Sequence, residues 1–339
     1  MNEPASTISI NCPVCHSVCS DPPLYRYKVS EAAAHFCPAT RNAHRNQRLE
    51  ACIRRLWQGE ESVVLRCQEC GFAFGYPFIG GDEEFYSILH EQKGYPQWRW
   101  DYTIAITQAL ANNAGGKILE IGAGTGNFLR QLGPQWVCYA VEASDDNRKD
   151  LESHKIHVLH DLESAMNSEG GTFQAIVMFQ VLEHLANFRD VLAQCHKLLS
   201  RGGKLVITVP YGEAMIRQEK LLGCHDMPPN HINKWTPQSL SYVLRDIGFE
   251  PSEPIFEPPS FQTFKMSLLM KINVDATKPH SIASQIYRIP YKGLRIPFLF
   301  CLGLPSLIRL LPHIKDLPQG GAFAMIAQAR QPNSQSFAN

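Results

Sequence analysis

Glu120-Ile121-Gly122-Ala123-Gly124-Thr125-Gly126 is the stretch on which the fold turns. The apolar run Lys117 to Ile121 reads as a strand and the residues from Phe128 as the start of a helix, so the three glycines occupy a strand-to-helix turn. Glycine there lets the backbone turn tightly and approach a ligand where any side chain would intrude. A second apolar run, Trp136 to Val141, ends at Glu142, 22 residues after Glu120. A carboxylate in that position can accept hydrogen bonds from both hydroxyls of a ribose. Together these features describe a nucleoside site at the carboxyl edge of a sheet.

Outward from this core, Ile156 to Leu159, Ala175 to Phe179 and Lys204 to Val209 read as third, fourth and fifth strands. Helical stretches separate them, the signature of a parallel, doubly wound α/β sheet. Val191, Leu192, Cys195, Leu198 and Leu199 make one apolar helix face, stopped by Gly202 and Gly203. Thr236 and Pro237 begin another helix, with Leu240, Val243, Leu244 and Ile247 as its stripe. Gly320 to Ala329 reads as a last strand. The expected organisation is a cysteine-rich module over 1–80, a helical connector over 81–112, and the Rossmann-like core over 113–250. A basic and apolar helical insertion over 251–318, a final strand over 319–330 and a loose tail over 331–339 complete it.

A nicotinamide or flavin fingerprint would place Gly or Ala at position 127, where this chain has Asn127. An acidic residue two positions before the first glycine suits a ligand carrying positive charge better than a pyrophosphate. At these residues the chain resembles the class I S-adenosylmethionine (SAM)-dependent methyltransferases, over roughly 110–250 plus the last strand. The resemblance rests on Glu120-x-Gly122-x-Gly124-x-Gly126, Glu142, the stretch Phe173 to His184, and Gly202-Gly203. It implies that the glycine loop and Glu120 face the methionine part of SAM, Glu142 the ribose and Asp161 the adenine amino group, with Gln180 also on the cofactor. Glu142 also reads as a solvated strand-end carboxylate, and Asp161 as the N-cap of a helix over Leu162 to Met166.

The residues after the fourth strand, Gln180-Val181-Leu182-Glu183-His184, are neither Asn/Asp-Pro-Pro-Tyr nor Pro-Cys, the patterns of nucleic-acid base methylation. They look like small-molecule methyltransferases of the quinone O-methylating type, in which Glu-x-x-Glu-His binds a divalent metal. Gln180 replaces the first carboxylate here, and a neutral amide is a weaker ligand for a hard cation. His184, with Glu183 beside it, is one candidate base. The segment Pro228-Pro229-Asn230-His231 ahead of Trp235 is similar to a segment of methyltransferases with sugar or other small polar acceptors, which makes His231 the second candidate. The acceptor expected is a small polar or glycosylated metabolite, methylated at carbon or oxygen. A zinc-finger RNA methyltransferase and a non-catalytic zinc-ribbon interaction protein are the alternatives.

Cys12-Pro-Val-Cys15 and Cys67-Gln-Glu-Cys70 are two chelating pairs, predicted to hold one structural zinc. The module also resembles the N-terminal zinc-binding domain of C-methyltransferases acting on nucleotide-linked keto-sugars. Eleven cysteines with no basic-then-apolar leader read as a protein of the reducing cytoplasm. Lys plus Arg and Asp plus Glu are both 32, which argues against an affinity built on phosphate contacts. The balance is uneven, with 10 basic and 12 acidic residues over 1–110, 13 and 18 over 111–260, and 9 and 2 over 261–339. The basic and apolar segment 261–318 therefore reads either as a helical cap on the core or as a weak peripheral membrane contact.

Overall fold

The computed structural model describes residues 9–89, 99–111, 114–222, 227–258, 280–289, 291–310 and 321–330. The expectations for 223–226, for most of the insertion (259–279 and 311–318) and for the tail from 331 fall outside the described residues. The chain divides into two compact units. The first comprises Met1–Lys93, Pro210–Thr236 and Phe256–Ala322, and the second Gly94–Val209, Pro237–Ile255 and Phe323–Asn339.

In the first unit, strands β1 (Ile10–Asn11) and β2 (Val18–Cys19) form a hairpin. A four-stranded antiparallel sheet joins β3 (Tyr25–Lys28), β4 (Glu61–Arg66) and β5 (Ala73–Tyr76) to β11 (Asn233–Lys234). Helices α1 (Val29–Phe36), α2 (Ala43–Trp57), α3 (Glu83–Leu89) and α8 (Gly212–Leu222) belong to the same unit. The Asn42 side chain caps α2 by accepting the Arg45 N–H at 3.0 Å. One apolar core gathers Leu49, Ile53, Trp57, Phe85 and Ile88 with Ile216 and Met227. The module thus reaches past the expected limit at residue 80, because residues 210–236 supply it with a helix, a strand and core side chains. The short helix α10 (Ile282–Tyr287) and the 19-residue helix α11 (Lys292–Leu310) belong to the unit, and the two-residue strand β13 (Ile255–Phe256) marks where the chain returns to it.

The second unit is the doubly wound sheet. It opens with α4 (Trp100–Ile104), continued as a π-helix over Ala105–Leu110. Its strands are β6 (Gly116–Ile121), β7 (Trp136–Val141), β8 (His157–Leu159), β9 (Phe173–Phe179) and β10 (Leu199–Pro210), followed by β12 (Phe249–Pro251) and β14 (Ala322–Ala329). Between them run α5 (Asp145–Ser153), α6 (Leu162–Glu169), α7 (Phe188–Leu198) and α9 (Pro237–Ile247). The order is β8-β7-β6-β9-β10-β14-β12. The first five strands are mutually parallel, and β12 runs antiparallel to β14. β9 is apolar and buried almost throughout, as a strand covered on both faces must be. α7 buries Phe188, Val191, Leu192, Cys195 and Leu198, one face at helical spacing. Chain order reverses between β6 and β9, and in such sheets ligands bind in the crevice beyond the carboxyl ends at that point.

Candidate active site and cysteine cluster

Both strands at the reversal end in left-handed backbone. β6 passes into Gly122, Gly124 and Gly126 at φ +72°, +54° and +71°, and β9 into Gln180 at φ +59°. The three glycines serve different ends. A Cβ on Gly122 would lie 2.7 Å from Val181, and one on Gly126 would lie 2.5 Å from Leu151, so these two let neighbouring elements pack closely. A Cβ on Gly124 would meet nothing within 4 Å among the described residues. The space left by its missing side chain is open, as the close approach of a ligand to the backbone requires.

Glu142 is tied to this loop. Its Oε2 accepts the Gly124 N–H at 2.7 Å, and its Oε1 accepts the Ser144 N–H at 2.9 Å and the Asn147 amide at 3.4 Å. The carboxylate is therefore pre-oriented at the end of β7, with lone pairs left for further donors. Glu120 is a different kind of group. It is 2% exposed, and its Oε2 has no hydrogen-bond partner among the described residues. Burial pushes its pKa well above the ordinary range; nearby Arg99 opposes the shift, and Asp101 and Glu142 add to it. A buried carboxyl with one oxygen left without a donor, beside an open glycine turn, fits a ligand that brings positive charge to it.

A polar chain absent from the sequence expectations runs alongside. Arg99 donates to buried Asp101 through Nε at 3.1 Å and Nη2 at 2.6 Å. Thr208 of β10 donates to Asp101 Oδ2 at 2.8 Å, and the Gln180 amide lies 3.5 Å from the Thr208 hydroxyl. Asp101 thus fixes Arg99 bidentately from one side while Thr208 fixes Asp101 from the sheet. Tyr102, Phe128 and Phe179 form an aromatic triangle with ring centroids 4.9–5.4 Å apart, which walls this end of the sheet with apolar surface. Arg99 and Asp101 precede the first strand by more than a dozen residues, and only the fold reveals their partner on β10.

The other expected positions are placed as follows. Asp161 is the N-cap of α6: its Oδ1 accepts the Ser164 N–H at 2.7 Å, and His160 sits 3.0 Å from its Oδ2. These bonds hold its pKa below the usual carboxylate range, the Ser164 amide most of all. Glu183 is fully buried in the turn Leu182–His184 that follows β9, with His184 Nε2 at 3.9 Å from its Oε1. His231 belongs to the first unit, in the segment that runs along β5. There Gly75 donates to the Ile232 carbonyl at 2.8 Å and Gly81 to the Pro229 carbonyl at 2.8 Å. Trp235 packs on Phe72 at 4.6 Å, the anchoring role its aromatic ring suggests.

The two Cys-x-x-Cys pairs fold into the same turn twice. In each, the N–H of the fourth residue on (His16, Gly71) donates to the first cysteine's carbonyl, and that cysteine's N–H donates to the fifth residue's carbonyl. His16 and Gly71 both take left-handed φ, +63° and +72°. One turn lies between β1 and β2, the other between β4 and β5. The sulfurs interleave, with Cys12 Sγ 3.6 Å from Cys70 Sγ and Cys15 Sγ 3.4 Å from Cys67 Sγ, and all four lie within 4.8 Å of one another. Tetrahedral zinc at about 2.3 Å from each sulfur needs sulfurs about 3.8 Å apart. The donor set fits a closed, four-thiolate ion.

Residues 97–253 match the family described as "Methyltransferase domain". Among curated proteins, the chain is similar to the mitochondrial ubiquinone biosynthesis O-methyltransferase of Rattus norvegicus, at 25% identity over 40% of this chain and 44% of that protein. It is similar also to the ubiquinone biosynthesis O-methyltransferase of Roseobacter denitrificans, at 28% identity over 45% of this chain and 68% of that protein. The chain thus spans less than half the length of the mammalian relatives it matches. Among solved structures, a SAM-dependent methyltransferase from Archaeoglobus fulgidus aligns with a TM-score of 0.45 and 16% identity, covering 72% of this chain and 99% of that one. Residues 97–253, which hold the glycine turn and the pre-oriented Glu142, are thus similar to a methyltransferase domain.

Proposed function

We propose that this chain transfers a methyl group from SAM to a small-molecule acceptor. The observation that carries the reading is Gly124, left-handed and open where its side chain would be, with its N–H held by the carboxylate of Glu142. When bound, SAM supplies an electrophilic methyl group on a sulfonium. Glu142 accepts the ribose hydroxyls with the lone pairs that Gly124 and Ser144 leave free. Glu120 faces the cationic end of the ligand, and Arg99, fixed by Asp101, offers its remaining N–H groups to a carboxylate. Tyr102, Phe128 and Phe179 exclude water, so these few charges act at low dielectric.

Displacement at a methyl carbon needs nucleophile, carbon and sulfur held in line, which positioning supplies. The relatives are named O-methyltransferases, which favours oxygen as the atom methylated. A hydroxyl must then lose its proton, and His184, beside the buried Glu183 carboxylate, is the base we assign; His231 is the alternative. A neutral overall charge supports a small polar metabolite over RNA. We assign Cys12, Cys15, Cys67 and Cys70 to a structural zinc, since four thiolates leave no open position for chemistry.

Calorimetric titration with SAM tests the central reading. Gly124→Val and Glu142→Ala are expected to lose at least tenfold in affinity, about 1.4 kcal/mol or more, while melting cooperatively. Unchanged affinity in both would overturn the site. Radiolabelled SAM with a panel of acceptors tests the acceptor class, and labelling confined to RNA would remove the small-molecule reading.

A further inference from the structure

Helix α11 presents an apolar stripe to solvent. Leu294, Phe298, Cys301, Pro305 and Ile308 recur at alternating steps of four and three residues, and Tyr291 extends the series by one step before the helix begins. All six are exposed, with Tyr291 at 72%, Leu294 at 60%, Phe298 at 54% and Ile308 at 59%. Ile296 and, on α10, Ile282 are exposed as well, at 63% and 65%. A helix that merely capped a core would turn this stripe inward. An apolar surface of this extent in water marks a docking face.

Charge decides the occupant. Residues 280–310 contain Arg288, Lys292, Arg295 and Arg309 and no acidic residue. Two copies of the chain meeting through the stripe would bring together two stretches that are positive by sequence and contain no acidic residue, which disfavours that pairing. A bilayer surface rich in anionic lipid satisfies both features at once: acyl chains take up the apolar side chains, and the negative surface matches the net positive charge of the stretch. Among the described residues no helix is long and apolar enough to cross a membrane, so the contact is one of lying on the surface.

We propose that α11 docks this protein on an anionic membrane surface through Leu294, Phe298 and Ile308. The inference stands apart from methyl transfer, since lipid binding is measured without SAM. Flotation of the full chain with vesicles of phosphatidylglycerol and phosphatidylcholine is the test. At least tenfold more protein is expected on these than on pure phosphatidylcholine, with the excess lost in 0.5 M salt. Leu294→Glu with Phe298→Glu is expected to abolish binding while SAM affinity and melting stay unchanged. Failure of the wild-type chain to float, equal binding to neutral vesicles, or a dimer that the double variant dissociates would each overturn the proposal.

Discussion

Glu120 poses the sharpest question among single residues, because a carboxyl with an orphaned oxygen is normally selected against in a buried position. Its folded-state pKa is raised by burial, so the folded protein binds its proton more tightly than the unfolded chain does. Stability of the ligand-free protein must therefore fall as pH rises from about 4.3, the unfolded value, through the raised folded one. Glu120→Gln keeps the shape and removes the titration. It is expected to match wild type at pH 4 and exceed it by roughly 1–3 kcal/mol at pH 8, while SAM binding weakens. Denaturant melts at the two pH values read the first effect. A variant no more stable at pH 8 would show that Glu120 is neutralised by something else. The glycine turn, Glu120 and Glu142 were legible because they lie in one contiguous pattern. The polar chain Arg99, Asp101, Thr208 was not, since Thr208 lies 107 residues beyond Asp101 and reaches it only through the fold.

Among the elements, the two cysteine turns are the most regular, and the repeated left-handed residue makes them a pair. If the cluster holds zinc as proposed, loss of one thiolate would leave only three donors for it. Cys67→Ser is expected to lower zinc from one equivalent per chain to none in elemental analysis and to unfold the first unit's hairpins, seen as lost amide protection. Full zinc content in that variant would place the metal elsewhere. The same unit holds a buried ion pair, Lys234 Nζ to Glu219 Oε1 at 2.9 Å, with side chains 1% and 2% exposed. Lys234→Met strands the carboxylate and is expected to cost about 3–5 kcal/mol, with Glu219→Leu in the same chain restoring most of it. An additive double variant would refute that coupling. The parallel strands β6 to β10 were readable from short apolar runs between helices. β11 was not: its two residues, Asn233 and Lys234, owe their conformation to Phe74 and Ala73, a pairing that no local pattern encodes.

For the whole molecule, the charge count over 261–339 already separated this end of the chain from the rest, and the structure adds which of its apolar side chains face water. The count could not decide between a cap and a docking face, because composition carries no direction. The assignment of 210–236 to the first unit carries a further implication, about time. The first unit's strands β1 to β5 precede the parallel sheet in sequence, yet β5 waits for β11, and Tyr76 and Asn233 are 157 residues apart. At roughly 5–20 residues per second of synthesis, about 8–30 s pass between them. Through that interval β5 has an unpaired edge, the kind of edge that recruits other strands. The cysteine module, whose Cys pairs precede the parallel sheet in sequence, is thus finished only after all five parallel strands have been made.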